Sequence, residues 1–197
     1  MDRKRLFKQI DFILKIDEEK NILRQTHLSH HCRRENDAEH AWHMAVMAYL
    51  LKEYSNEDID ISHVMIMCLI HDIVEIEAGD TYAYDTEGKK TQHEREENAA
   101  DHIFSLLPDD QKNELRSIFE EFDHGDTPEA RFARAMDNFQ PLLLNNSNDG
   151  GDWKEHGVSR STVEGRQSKT DAGSHELYQI TEEILDNNVK KGSLKDA

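Results

Sequence analysis

The chain has 197 residues, enough for a single domain that buries a core of its own. With 41 acidic and 24 basic residues, its formal net charge at pH 7 is -17. Such an acidic surface repels DNA, RNA and anionic lipid, so we expect neither nucleic-acid polymers nor membranes as partners. A small anion could bind only where a metal ion or an arginine cluster makes the local potential positive.

The N-terminal residues show no targeting signal. A charged start is followed by a mixed stretch over residues 6–15, where a signal peptide needs an unbroken apolar run. No apolar run approaches the roughly 20 residues of a membrane span. The two cysteines, Cys32 and Cys68, are too few for a disulfide framework and lack CxxC spacing, which fits a reducing compartment. We therefore expect a cytoplasmic protein.

Two amphipathic helices are predicted in the first part of the chain. Apolar residues at helical spacing indicate the first over residues 3–16. The basic, histidine-rich stretch over residues 24–34 has no clear periodicity, and we interpret it as a loop that either clamps an anion or is simply solvated. Asn36 and Glu39 have the spacing of a capping box, which predicts a second helix with an apolar stripe over residues 37–54.

The third predicted helix, over residues 63–77 with Ser62 as its N-cap, is apolar nearly all round and is expected to be buried. It nevertheless carries His71, Asp72 and Glu75, which lie within about one turn of one another. Burying such groups without partners costs roughly 1 to 3 kcal/mol for a neutral group and more for a charge. A bound cation would satisfy them; a histidine and an aspartate that satisfy each other in the core are the alternative.

The segment after this helix is a candidate moving part. Gly79 predicts the end of the helix, and Asp80 follows it at once. Residues 81–90, with Tyr82 and Tyr84, predict a loop. The loop is either a mobile lid or an ordinary part of the surface.

Three more helices are predicted before residue 145. A capping-box pattern at residues 91–94 begins the fourth, which Pro108 ends, and Gly125 closes the fifth. The dipeptide at residues 127–128 begins the sixth, with proline at its favoured first position. Asp137 stands beside the apolar stripe of this helix, so we expect it to be half buried and to need a partner.

The composition changes after the sixth helix. We assign a domain core to about residues 6–144, then a loop-rich extension over residues 145–173 and a C-terminal helix over residues 174–190. There is no internal repeat and no alternating strand pattern of any length. One domain therefore spans residues 1–197.

Four polar residues on three separate helices form the candidate metal site: His40, His71, Asp72 and Asp137. Two imidazoles and two carboxylates suit one divalent ion such as Mn, Co, Fe, Ni, Zn or Mg, with positions left open for water and substrate. The spacing of His40 and His43 is not that of a zinc protease, whose histidines are four residues apart around a glutamate.

Taken in chain order, these residues resemble a known series of motifs. Arg33, Glu39-His40, His71-Asp72 with Glu75, Gly79-Asp80 and Asp137 resemble the H…HD…D series of the HD-domain metal-dependent phosphohydrolases, and the similarity covers about residues 6–144. The branch that it resembles most is that of the 5′-deoxynucleotidases. The resemblance implies an all-α bundle of about six to eight helices, one divalent ion on the four residues above, hydrolysis of deoxynucleoside 5′-monophosphates to nucleoside and phosphate, and a homodimer.

The resemblance also implies roles for individual residues. Arg33 would contact the phosphate, Glu75 would move a proton or orient the attacking water, and Asp80 would lie near the sugar. Asp72 would serve the reaction as well as the metal. Arg24 is the nearest basic residue upstream of Arg33, where nucleotidases carry a basic residue beside an aromatic one; its neighbours here are not aromatic, which leaves the substrate open.

The extension adds one more candidate. His156 could fold over the site and contact substrate, or it could lie on the surface or at a dimer contact. Two other functions remain open: an HD phosphodiesterase or nucleotide-alarmone hydrolase, and a non-catalytic nucleotide-binding protein with a structural metal. A purely structural site has no use for Glu75 or Arg33, which favours an enzyme.

Overall fold

The computed structural model describes residues 2–30, 32–82, 85 and 87–196. In chain order its elements are α1 (Arg3–Ile16), β1 (Leu23–His27), β2 (Arg34–Asn36), α2 (Asp37–Leu51), α3 (Ile61–Ile70), α4 (Glu75–Ala78), α5 (Lys89–Ser105), α6 (Asp109–His124), α7 (Pro128–Ser147), α8 (Gly151–His156), α9 (Arg160–Gly173) and α10 (His175–Lys190). The all-α prediction is confirmed. None of the described helices is both long and apolar enough to cross a membrane.

The one sheet in the described part of the chain is a small hairpin. β1 and β2 pair antiparallel, with Leu23 opposite Asn36 and His27 opposite Arg34. The sequence predicted a loop here, because two short strands with polar side chains show no alternating pattern. His31 of the same stretch lies outside the described residues.

α7 is the central helix of the bundle. α2, α3, α6, α9 and α10 all pack against it. Thr127 caps its start by accepting a hydrogen bond from the backbone N–H of Ala130, and Pro128 occupies the first turn, as predicted. Gly125 closes α6 in the left-handed conformation, with φ of 72°. α7 carries its predicted apolar stripe into the core through Phe132, Met136 and Phe139.

The predicted third helix is broken in two. α3 ends at Ile70 and α4 begins at Glu75, and between them the hydrogen bonds tighten: the N–H of Glu75 donates to the carbonyl of Asp72 at 2.8 Å. Such i→i+3 bonds rotate the chain out of the α-helical register. The sequence holds neither glycine nor proline at the break, so it gave no sign of it. His71 and Asp72 lie at this break.

Two predicted helix starts are also displaced. α3 begins at Ile61 because Asp60, rather than Ser62, is its N-cap and accepts from two backbone N–H groups. α5 begins at Lys89, so the capping-box pattern at residues 91–94 lies inside the helix. The first difference is of two residues and the second of three, close to the usual scatter of helix ends.

α1 and α2 present part of their apolar stripes to solvent. On α2, Trp42 is 62% exposed and Leu50 is 65% exposed, while the smaller Ala41 and Ala48 are buried against the bundle. On α1 only Phe12 is buried. The stripe predicted each helix correctly but not which apolar residues it buries, because small side chains let neighbouring helices approach closely.

The extension over residues 145–173 is helical, where the sequence predicted mostly loop. α7 continues to Ser147, a turn with positive φ at Asp149 and Gly150 leads into α8, and α9 follows. Trp153 and Val163 join the core. Few apolar residues mark these helices, which is why their pattern was weak.

Candidate metal centre and cleft

The structure brings the four predicted metal ligands together. His40 Nε2 lies 3.3 Å from Asp137 Oδ1 and 4.0 Å from Asp72 Oδ2, and His71 Nε2 lies 3.0 Å from Asp72 Oδ2 and 4.0 Å from Asp137 Oδ1. Ligands about 2.1 Å from a divalent ion are roughly 3 to 3.5 Å apart when they subtend tetrahedral or right angles. The four atoms therefore lie at separations that one ion could bridge after small adjustments.

Both histidines have their Nδ1 atoms beside oxygen acceptors, as a metal ligand that binds through Nε2 needs. His40 Nδ1 lies 3.0 Å from the side-chain oxygen of Gln140, and His71 Nδ1 lies 3.0 Å from the carbonyl of Cys68. An imidazole that donates from Nδ1 to an oxygen leaves its Nε2 lone pair unused. His71 Nε2 is buried and meets no hydrogen-bond geometry within the described chain, although it lies 3.0 Å from Asp72 Oδ2. A cation between the two atoms would satisfy both.

Gln140 is a supporting residue that the sequence analysis missed. It is fully buried, and its amide nitrogen donates to Glu35 Oε1 at 2.6 Å, so its oxygen faces His40. Outer residues of this kind fix the orientation and basicity of a histidine ligand. Gln140 follows Asp137 by three residues on one face of α7, and that spacing could have indicated it.

The electrostatics of the four residues also favour a cation. Burial, with the positive charge of Arg24, lowers the pKa of His40 to about 4. Burial by itself lowers the pKa of His71, but the charges of Asp72 and Asp137 outweigh it and raise that pKa to about 9. His71 therefore holds a proton at pH 7 when no metal is bound, and a metal ion must displace it.

A second group of carboxylates adjoins the first. Asp37, Asp72 and Glu75 offer oxygens within 4.8 Å of one another. Burial, together with the charges of Asp72 and Asp37, raises the pKa of Glu75 well above its usual value, which favours the protonated form of this side chain. Arg24 donates to Asp72 Oδ2 at 2.7 Å and to Asp37 Oδ1 at 3.2 Å. The sequence analysis did not single out Asp37, since a helix's first residue is often acidic.

His71, Asp72, Glu75 and Asp137 line a cleft of about 280 Å³. Arg24 and Asp80 of the candidate set line it too, and so does Tyr82 of the loop predicted over residues 81–90. Tyr84 of that loop lies outside the described residues. A cleft of this size, with convergent polar groups, suits a small ligand.

Two candidate residues lie elsewhere. Arg33 is exposed and outside the cleft, where its two terminal nitrogens donate to the carboxylate of Glu39 at 2.8 and 2.5 Å. His156 is also exposed and outside the cleft lining, with its ring 4.9 Å from that of Tyr82. Neither side chain lines the cleft, since Arg33 is paired on the surface and His156 lies on α8 against Tyr82, and their expected contacts with substrate stay predictions.

Comparison with known proteins identifies relatives. A family profile described as HD domain matches residues 16–178. The chain is 34% identical over 110 residues to the 5′-deoxynucleotidase HDDC2 of Xenopus laevis, covering 55% of this chain and 53% of that protein. The human protein of the same name is 32% identical over 111 residues, 56% and 53% of the two chains. The chain thus spans about half the length of the curated relatives that it matches.

A crystal structure covers much more of the chain. A predicted metal-dependent phosphohydrolase from Magnetospirillum magnetotacticum MS-1 superposes with a TM-score of 0.93 at 47% identity, over 96% of this chain and 95% of that one. A conserved hypothetical protein from Pyrococcus furiosus, at 21% identity and a TM-score of 0.62, shares the fold. The extension over residues 145–173 is therefore part of a fold that a solved relative shares at nearly full length.

Proposed function

Because the chain belongs to the HD domain family of metal-dependent phosphohydrolases, we propose that it hydrolyses deoxynucleoside 5′-monophosphates, or their ribose counterparts, to nucleoside and phosphate. The observation that carries this proposal is the meeting of two imidazoles and two carboxylates beside the buried Glu75, whose pKa is raised. Relatives named 5′-deoxynucleotidase support the choice of substrate.

His40, His71, Asp72 and Asp137 would hold one divalent ion. When bound, such an ion polarises phosphoryl oxygens and makes a water molecule a stronger nucleophile near neutral pH. The donor set of nitrogen and carboxylate oxygen suits Mn, Fe, Co, Ni, Zn or Mg. Gln140 and the carbonyl of Cys68 would keep both imidazoles aimed at the ion.

Three further residues of the cleft have proposed roles. Burial raises the pKa of Glu75, and Glu75 would deliver a proton to the leaving 5′-oxygen as general acid. Arg24, buried between Asp72 and Asp37, would orient Asp72 and add positive potential near the phosphate. Asp80 lines the cleft and would accept a hydrogen bond from a sugar hydroxyl.

A phosphate-release screen tests the proposal. Protein stripped with a chelator would be supplied with each divalent ion in turn and with deoxy- and ribonucleoside monophosphates, cyclic nucleotides and polyphosphorylated nucleotides. We expect phosphate from the monophosphates only when an ion is added. Hydrolysis confined to cyclic or polyphosphorylated substrates would assign the phosphodiesterase or alarmone-hydrolase activity instead, and metal binding without any turnover would assign a binding protein.

We also propose that the protein acts as a cytoplasmic homodimer. On α2, Trp42, Val46, Tyr49 and Leu50 form one exposed apolar stripe, which is of the kind that subunit interfaces cover. Light scattering coupled to size exclusion should give twice the monomer mass, and Trp42→Glu should shift the protein to monomer. A wild-type monomer at micromolar concentration would contradict this part of the proposal.

A further inference from the structure

Five cationic side chains line the cleft of this strongly acidic protein: Arg24, Lys89, Arg134, Arg166 and Lys169. Only Arg24 was expected there. Arg166 and Lys169 come from α9 and stand three residues apart, so they share one face of that helix. Lys89 comes from the first turn of α5. Four of the five cations therefore come from parts of the chain where the sequence did not predict site residues.

The five cations differ in how many hydrogen bonds and ion pairs they already form within the protein. Arg24 is bound by two carboxylates, and Arg134 donates to the backbone carbonyls of Phe122 and Asp123. Lys89 and Lys169 are solvent-accessible and make no side-chain hydrogen bond or ion pair with any residue that the structure describes. The two lysines are thus available to an incoming anion.

Arg166 lies between these two situations. Its Nε donates to the neutral Asn138 Oδ1 at 2.9 Å, and one terminal nitrogen lies 3.8 Å from Asp137 Oδ2, which is too long for a hydrogen bond. Its terminal N–H groups therefore make no hydrogen bond to a described residue, and they lie beside a proposed metal ligand. A phosphoryl oxygen near the metal would be within reach of this guanidinium, whose planar fork suits phosphate.

The like charges also repel one another. Desolvation and the charge of Arg166 lower the pKa of Lys89, and desolvation with the charges of Arg134 and Arg166 lowers the pKa of Lys169. Bringing unpaired positive charges together is unfavourable unless an anion compensates them. The carboxylates of Asp123 and Asp137 offset part of this repulsion at Lys169, and a bound anion would offset more of it.

α9 is held rigidly enough to build such a site. Gly173 packs so closely on α7 that a Cβ there would lie 2.4 Å from the carbonyl oxygen of Arg131. Gln167 is buried and donates to the carbonyl of Asn138 at 3.2 Å, while the Asn138 amide donates to the carbonyl of Arg134. Asn138 is therefore a positioning residue that ties Arg166 to the helix carrying Asp137.

We propose that Arg166 and Lys169 of α9, with Lys89 opposite, bind the substrate's phosphate group and select a terminal, dianionic phosphate over a monoanionic phosphodiester. This inference rests on the proposed function, because it names the residues that would hold the phosphate at the same metal centre. It replaces Arg33, which faces away from the cleft, with cations from the helical extension. Two available cations and a guanidinium match a dianion better than a diester with one charge.

Binding of inorganic phosphate to metal-loaded protein tests this without turnover. Calorimetry would compare wild type with Arg166→Gln, Lys169→Gln and the double variant. We expect about tenfold weaker binding for each single change and a larger loss for the double variant. Arg160→Gln is the matched control: Arg160 begins the same helix, pairs with Glu164 and Glu182, and does not line the cleft, so phosphate affinity should not change.

Two results would overturn the proposal. One is wild-type phosphate affinity in the double variant with the metal still bound, and the other is a wild-type protein that binds no phosphate. Lys89→Gln, on the opposite wall, replaces the double variant if circular dichroism shows that the latter is unfolded; it should weaken phosphate binding severalfold. Dimethyl phosphate, a monoanionic diester, should bind at least about tenfold more weakly than phosphate to wild type, and equal binding would refute the selection for a dianion.

The same measurements separate this inference from the proposed function. Phosphate binding that depends on Arg166 and Lys169, in a protein that releases no phosphate from any nucleoside monophosphate, would sustain the anion site and remove the nucleotidase. Turnover of monophosphates with unchanged KM in the double variant would do the reverse. Arg166→Lys should recover part of the lost affinity, because it restores the charge without the planar fork.

Discussion

At its inner end the cleft is lined by His71, Asp72 and Asp137, with the buried His40 behind them, whereas its outer end is formed by the more exposed Lys89, Arg166 and Lys169. Of these three cations, Arg166 lies 3.8 Å from a carboxylate oxygen of Asp137, and the two lysines form no ion pair with a described residue. The inner groups are the natural site of a cation, and the outer groups are the natural site of an anion. An acidic protein can bind a phosphate in this way, because the metal and the outer cations reverse the field at one place. The two ends should therefore respond to different substitutions.

The largest effect is expected at the inner end. His71→Ala, Asp72→Ala and Asp137→Ala each remove a proposed metal ligand, so phosphate release should fall by about a thousandfold or more, and the metal content of the purified protein should fall with it. Elemental analysis and a phosphate assay on the same sample would measure both. Retained helicity in circular dichroism would show that the loss is local.

His175→Ala is the matched control for these variants. His175 is an exposed histidine that pairs with Asp171 on the surface, away from the cleft. Its loss should leave metal content and activity as in wild type. An inactive Asp137→Ala variant that still binds a full complement of metal would show that Asp137 is not a ligand. It would also contradict the assignment of the inner end as the cation site.

A smaller loss should follow when the inner end keeps its metal but loses its proton donor. Glu75→Gln preserves the shape of the protonated side chain and cannot release a proton, so we expect activity to fall about a hundredfold or more with metal content unchanged. Stability should be equal or higher, since a buried acidic group is replaced by a neutral one. Should the variant lose metal instead, Glu75 would be a ligand rather than an acid.

The sequence predicted the residues of the inner end but not those of the outer end. His71, Asp72 and Asp137 stand out because they are polar residues on apolar helices. Arg166 and Lys169 lie in a polar stretch where no residue contrasts with its neighbours, so composition gave no reason to select them. The inner end was visible in the sequence and the outer end was not.

Side-chain direction was also beyond the sequence. The resemblance assigned Arg33 a phosphate contact by its order in the chain, but order does not fix which way a side chain points, and Glu39 holds this one on the surface. In the same way the stripe of α2 predicted a helix, while the packing of small residues decided that Trp42 and Leu50 stay exposed. Both outcomes depend on which neighbours the fold supplies.

Gln140, which holds the His40 ring in place, gives a prediction of intermediate size. Gln140→Ala leaves all four proposed ligands in place but frees the His40 ring and leaves Glu35 without its hydrogen bond. Loss of such an outer partner costs about 10- to 100-fold in metal affinity. Competition with a metal-sensitive dye would measure it. Gln140→Glu restores an oxygen acceptor and should recover part of the affinity, whereas unchanged affinity in the alanine variant would make Gln140 a packing residue only.

The smallest effect concerns stability near the inner end. Glu19 is only 7% exposed, and one of its oxygens has no hydrogen-bond partner in the described chain. Burial, with the negative charge of Asp72, raises the pKa of Glu19 to about 8. In the unfolded chain the pKa returns to its ordinary value near 4.3, so the stability linked to this proton is complete below about pH 4 and is lost as the pH rises through about 8.

Glu19→Gln removes that linkage, because a neutral amide has no proton to lose. The variant should therefore be more stable than wild type at pH 8, and the gain should vanish toward pH 4. Thermal unfolding at a series of pH values, with Glu53→Gln as an exposed control, would measure the difference. A gain in stability that does not depend on pH would come from packing and not from the proton of Glu19. The negative charge of Asp72 would then have little effect on the ionisation of Glu19.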